Sequence, residues 1–233
     1  ELVDTGVFDG NCYFDVLAEY AKNAPNDVLI RITVSNRGPA AATLHLLPTL
    51  WFRNTWSWKP AADMARPRIA REKNNLLSAT HASLGRFFLN FGPGPSGKLP
   101  EVLFTENESN LQRLFGVANP SPHVKDAFHE FLVQGRTDAV NPQSFGTKAA
   151  PHYVLEIPAG ASQSIRLRLC AEGEAGARSL GKEFDRVFAA RVEEADQFYA
   201  SHVPSQLTDI ERAVVRQGYA GLLWSKQFYQ LVA

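Results

Sequence analysis

The chain has 233 residues, 45% of them hydrophobic and 21% charged, enough apolar material for one large domain or two small ones. Lys plus Arg and Asp plus Glu each number 24, so the formal net charge is zero and the broad positive field of a nucleic-acid binder is missing. No apolar run is long enough to expect a membrane-spanning helix, and no basic segment leads into an apolar stretch at the start.

Up to about Cys170 the dominant hydrophobic period is two. Phe14, Val16, Ala18 and Tyr20 predict one strand, and Val28, Ile30, Ile32 and Val34 predict a second, half-buried and antiparallel to it. Asn23-Ala24-Pro25-Asn26-Asp27 between them has turn chemistry, as does Asn36-Arg37-Gly38-Pro39 after them. Leu44, Leu46, Leu50 and Phe52 fit one face of a single long strand. Further strands are expected at Val102-Leu103-Phe104, from Phe128 to Val133, and at Tyr153 to Ile157. After the turn Pro158-Ala159-Gly160, Ile165, Leu167 and Leu169 take one side of a last strand, with Arg166 and Arg168 on the other. Many strands joined by short turns predict a mainly β fold, an antiparallel β-sandwich.

The period changes after the small polar stretch Ala171-Glu172-Gly173-Glu174-Ala175-Gly176. Phe184, Val187, Phe188, Ala195 and Phe198 recur at helical spacing, and Pro204 closes that helix. Thr208, with Glu211 three residues on, is a capping box that opens a second helix through Ile210, Val214, Leu222 and Phe228. The expected organisation is a β-sandwich at 1–170, a linker at 171–179 and a helical connector at 180–233. The chain opens on Glu1 and closes on an aromatic stretch, Trp224 to Tyr229. Two helices cannot bury that much apolar surface on each other, so the expectation is a piece of a longer protein. The isolated chain is then expected to self-associate through residues 208–233, or else to show that segment poorly ordered.

Cys12 and Cys170 are too few for a disulfide scaffold or a four-cysteine zinc site, which predicts a reduced, cytoplasmic protein. The six histidines show no zinc-ligand spacing, no phosphate-cradling glycine loop occurs, and neither metal nor cofactor is expected. Glu106 and Glu108 stand two apart; in a strand that gives roughly 6.6 Å, near the lower edge of inverting glycosidases. Any acidic pair at that spacing would satisfy the geometry, so a solvated strand end or a hydrogen-bonded turn is the preferred reading. Three of the four tryptophans fall in Leu50-Trp51-Phe52-Arg53-Asn54-Thr55-Trp56-Ser57-Trp58. If period two continues, Trp56 and Trp58 share a face with Asn54 and Phe52, while Arg53 takes the other. Aromatic rings beside Arg53 and Asn54 suit sugars, but such rings also build domain interfaces, the reading preferred here.

Five segments together resemble bacterial members of glycoside hydrolase family 63 and their mannosylglycerate-hydrolase-like relatives. They are Glu1 to Phe8, Leu47 to Trp56, Leu103 to Asn110, Gly146 to Ala150 and Leu223 to Tyr229. The resemblance implies a galactose-mutarotase-like (supersandwich) β-domain and a helical connector ahead of an (α/α)6 catalytic barrel. The barrel's acidic pair inverts an α-glycosidic bond in oligosaccharides or small glycosides. No catalytic residue is carried over to this chain, because the matched residues cover only the sandwich and connector. The implied partners are the barrel of the same polypeptide and, in the full-length protein, a carbohydrate substrate. Arg53, Asn54, Trp56 and Trp58 are candidates for the substrate side or a domain interface; Leu222, Trp224, Phe228 and Tyr229 are candidates for the barrel interface. A free-standing carbohydrate-binding module is the alternative, and a self-contained glycosidase using Glu106 and Glu108 ranks last.

Overall fold

A computed structural model describes residues 2–57, 66–177 and 180–226. The chain groups into two compact units, Glu1–Phe184 and Asp185–Ala233. The first is an antiparallel β-sandwich and the second is helical.

Eleven strands are assigned among the described residues: β1 (Phe14–Ala24), β2 (Asp27–Asn36), β3 (Ala42–Leu46), β4 (Leu50–Trp51), β5 (Arg68–Lys73), β6 (Leu76–His81), β7 (Gly85–Phe91), β8 (Glu101–Thr105), β9 (Phe145–Gly146), β10 (Lys148–Ile157) and β11 (Ser162–Ala171). One sheet has seven strands in the order β1-β2-β11-β7-β6-β5-β9. The other has four, with β10 as hub: it pairs with β3 along Tyr153–Ile157 and with β4 and β8 along its first half. The inner faces meet in one core. Ile32, Val34, Ile69, Leu77, Leu89, Phe91, Ile165 and Leu167 come from the larger sheet, and Phe104, Tyr153, Leu155 and Ile157 from the smaller. Face-to-face burial of alternate residues is what holds a sandwich together.

The hairpin β1–β2, the strands at 101–105 and 153–157, and the last strand lie where the period-two pattern puts them. Three strands, β5 to β7, escape that pattern. Leu76, Leu77, Ser78 and Ala79 are all buried, and so are Phe88 and Leu89, because both faces of this part of the sheet are covered. A strand buried on both sides reads as a continuous apolar run, without alternation.

Two expectations are corrected. The segment from Phe128 to Val133 is helical, within α2 (Ala127–Gln134), following the short α1 (Leu111–Phe115). Helical spacing turns Phe128 and Phe131 onto Leu103 and Ala150, on the outer face of the small sheet. Gly135, with φ of 67°, ends the helix in a left-handed conformation that glycine adopts without steric cost. The single long strand through Leu44 and Phe52 is instead two short ones, since Pro48 lacks the N–H that a ladder needs.

A buried ion pair ties the middle of the large sheet. Arg168 on β11 donates from Nε and Nη2 to Asp27 Oδ1 and Oδ2 at 2.8 and 2.5 Å, and Asn23 adds a bond to Oδ2 at 2.8 Å. Both charged side chains are essentially inaccessible. The outward side of β11 is thus not a solvent face: Arg166 lies 5.1 Å over the ring of Phe184 and donates to the Leu180 carbonyl.

In the helical unit, α3 (Lys182–His202) and α4 (Asp209–Ser225) pack through Arg216, which bonds Asp196 at 2.6 Å and lies over the Tyr199 ring. Both reciprocal bonds of the Thr208–Glu211 capping box form.

Two tests probe this architecture. Replacing Arg168 with Met strands Asp27 as an uncompensated buried charge, and urea unfolding should show a loss of about 3–5 kcal/mol. His45 and His152 share a 2.8 Å hydrogen bond between stacked rings, with Glu101 opposite His152 on β8. Burial, then the neighbouring His45, hold the imidazole of His152 below its ordinary range, against a smaller opposing pull from Glu101. A depressed histidine favours the neutral form in the fold. Its contribution is therefore present above the unfolded value of about 6.5 and is lost as pH falls from there through the depressed folded value. The stability of His152→Gln should decline less between neutral and mildly acidic pH than that of the parent.

Candidate functional site

The site grows from the point where the chain changes sheets. Phe145 and Gly146 pair with β5 in the large sheet, and two residues later Lys148 pairs with Trp51 and Thr105 in the small one. Gly146 passes so close to β8 that an added Cβ would lie 2.2 Å from the Thr105 carbonyl oxygen, so only glycine fits.

Thr147, fully buried at the crossing, uses every polar atom it has. Its N–H donates to the Thr105 carbonyl and its own carbonyl accepts from the Phe52 N–H. Its hydroxyl accepts from the Asn107 N–H at 2.8 Å and donates to Glu106 Oε2 at 2.6 Å. The Asn107 side chain then holds the Phe52 carbonyl at 2.9 Å.

Around this frame the two carboxylates converge. Arg66 Nη2 donates to Glu106 Oε2 at 2.9 Å and to Glu108 Oε1 at 2.6 Å. Trp56 Nε1 donates to the same Glu108 oxygen at 2.8 Å, and the Arg66 guanidinium lies 5.3 Å from the Trp56 ring centroid. Glu108 is the most enclosed member, with its side chain 7% exposed against 44% for Arg66. Its second oxygen, Oε2, is buried and has no hydrogen-bond partner among the described residues. Nearby, Lys148 donates to the Lys125 carbonyl and lies over the Phe128 ring, and burial pushes its ammonium down from the ordinary lysine range.

Glu106 and Glu108 do meet, although β8 ends at Thr105 and the strand argument for their spacing fails. Two oxygens that share one nitrogen at 2.9 and 2.6 Å lie closer together than the roughly 6.5–9.5 Å between an inverting pair. Both bonded oxygens act as acceptors, so neither is set up to hand a proton to a leaving group. The geometry is that of a binding or structural cluster.

The strand itself ends at Trp51, yet burial still alternates, with Phe52, Asn54 and Trp56 half-buried and Trp51, Arg53, Thr55 and Ser57 exposed. Asn54 Oδ1 accepts from the Ser57 N–H and hydroxyl at 3.2 and 2.9 Å, closing a turn that aims Trp56 inward at Glu108. Asn54 is thereby engaged locally and Arg53 is exposed. Trp58 lies outside the described residues, as do Phe228 and Tyr229. Leu222 and Trp224 on α4 are 73% and 84% exposed. Arg66 is the participant that sequence reasoning misses: it precedes Pro67 with no motif around it, and only the tertiary fold brings it to the carboxylates. A groove of about 530 Å³ elsewhere, lined by Lys98, Glu101, His152 and Gln163, contains no orphaned buried polar atom among the described residues.

No protein-family profile matches the chain. It is similar to the uncharacterized protein YMR196W of Saccharomyces cerevisiae, 39% identical over 249 residues that cover 94% of this chain and 23% of that protein. The chain therefore spans about a quarter of the length of the curated relative it matches.

Thr147→Val keeps the shape but leaves the Asn107 N–H without an acceptor and Glu106 with one donor fewer. Chemical denaturation should show a loss of about 1–3 kcal/mol, largely restored in Thr147→Ser.

Proposed function

We propose that this chain is a non-catalytic domain of a longer inverting glycoside hydrolase, α-glucosidase-like, acting on oligosaccharides or small glycosides and helping to shape the cleft of a following catalytic barrel. One observation carries the reading. Three of the segments that resemble glycoside hydrolase family 63, separated by up to a hundred residues of chain, converge on one cluster through Trp56, Glu106 to Glu108 and Thr147.

Other features support the same reading. The β-sandwich followed by two helices is the arrangement that the family resemblance implies. The similar yeast protein is several times longer than its matched part, which leaves room for a barrel. Ile210, Val214, Leu222 and Trp224 expose a broad apolar face on α4, a surface that a barrel would cover. Arg53, Asn54 and Trp56 stand on the substrate or interface side, and Leu222 and Trp224 on the barrel side. A cytoplasmic location is consistent with two free cysteines, Cys12 and Cys170. No helix among the described residues is long and apolar enough to cross a membrane.

The reading has two checks. Aryl α-glucosides and α-linked disaccharides should be turned over by the longer polypeptide and not by this chain. Turnover by the chain that disappears in Glu106→Gln would instead favour a self-contained glycosidase. The isolated chain should also self-associate in light scattering, and Leu222→Ser with Trp224→Ser should return it to monomer; a strictly monomeric parent chain would remove the argument for a missing partner surface.

A further inference from the structure

We propose that the cluster of Trp56, Arg66, Glu106 and Glu108 is a recognition subsite for the hydroxyl groups of a neutral sugar, with Glu108 Oε2 as the acceptor. The choice of sugar rests on the functional reading above; the need for an outside donor rests on the geometry alone.

The bonds within the cluster are one-sided. Both bonds of Glu106 go to Oε2 and both bonds of Glu108 go to Oε1, although a carboxylate offers about four lone-pair positions over its two oxygens. Buried polar atoms in native structures are nearly always bonded, and an orphan at a cluster of charges calls for a missing donor. Glu108 Oε2 is such an atom, on a side chain more than nine-tenths buried. Of the three charged side chains in the cluster, Arg66 is the most exposed.

The surrounding chemistry narrows the ligand class. A metal ion is disfavoured by position, because the Arg66 guanidinium already occupies the place between the carboxylates that a cation would take. An ammonium ligand only donates and would be repelled by Arg66. A phosphate or carboxylate ligand is an anion and would face two carboxylates. A hydroxyl both donates and accepts, so it can give its proton to Glu108 Oε2 while receiving an N–H from Arg66. The indole of Trp56 beside them adds an apolar surface for sugar C–H groups.

The test uses the whole 233-residue chain and follows the indole N–H resonances by NMR, with Trp56 assigned through Trp56→Phe. Methyl α-D-glucopyranoside is the probe, with methylammonium chloride and inorganic phosphate as separate arms. The expected result is a saturable shift of the Trp56 indole with the sugar and none with either ion. Glu108→Gln removes a charge-assisted bond and should weaken binding about ten- to a hundredfold. If that variant melts without a cooperative transition, Arg66→Met takes its place, with weakening of at least about tenfold expected. The proposal is overturned by the absence of a saturable sugar shift, by unchanged affinity in the folded variant, or by saturation with methylammonium or phosphate instead. Turnover by the longer polypeptide without sugar binding here would overturn this subsite and leave the hydrolase reading intact. Binding here without turnover there would do the reverse.

Discussion

Everything near the candidate site depends on one crossing of the chain between two sheets. Within four residues, Phe145 to Lys148, a single continuous backbone is laddered first to the edge of the large sheet and then to the middle of the small one. Such a crossing is sterically crowded, and Gly146 makes it passable by having no Cβ to meet the Thr105 carbonyl. Thr147 then has to satisfy its backbone without a regular ladder, since a buried backbone group left unpaired is costly. It does so by binding Thr105 and Phe52, and this draws the segment after β4 and the segment after β8 to one place. The convergence of Trp56, Glu106 and Glu108 follows from solving a hydrogen-bonding problem at a sheet-to-sheet junction.

The two buried charge systems of the sandwich are built on different terms. Asp27 and Arg168 face each other fork to fork, with Asn23 helping, and this pairing with good geometry can compensate for desolvation. Such a pair belongs to the structure: it locks the register of β11 against β2. Glu106 and Glu108 share one half-exposed arginine nitrogen, and one of their oxygens is buried with no partner. A fold selected only for stability would pair that oxygen or remove it. Incomplete satisfaction at a polar centre is the kind of local inconsistency that functional sites retain.

The helical unit shows the same contrast in apolar terms. Its internal contacts are well defined, from the capping box to the Arg216 link, while the α4 residues Ile210, Val214, Leu222 and Trp224 stay exposed. Local rules are fully met there, and the unmet part is a surface. An exposed apolar face of this kind on an otherwise regular helix is the type of surface that marks interaction sites.

Much of the fold was legible in the residues alone. Alternation marked β2, β10 and β11, where residues on one face are more deeply buried than those on the other, and the apolar residues of β1 and β8 marked those strands by type although their burial does not alternate. The 3.6-residue spacing and the Thr208–Glu211 pair marked the helices. What escaped had a common cause. β6 and the middle of β7 are buried on both faces, so they carry little alternation to detect, and β5 buries only Ile69 among charged neighbours. The segment around Phe128 is apolar enough to suit strand or helix, and its contact with Leu103 and Ala150 decided the matter. The candidate site was half legible: Glu106, Glu108 and Trp56 stood out by type and spacing, but their proximity did not. Arg66 carried no signal, since an isolated arginine before a proline is unremarkable until a fold brings it against two carboxylates. Local sequence determined which segments are strands and helices, through side-chain periodicity and backbone chemistry. Only the tertiary structure decided which distant residues share a charge, because that depends on one crossing at Gly146 and Thr147 that closes the two sheets on each other.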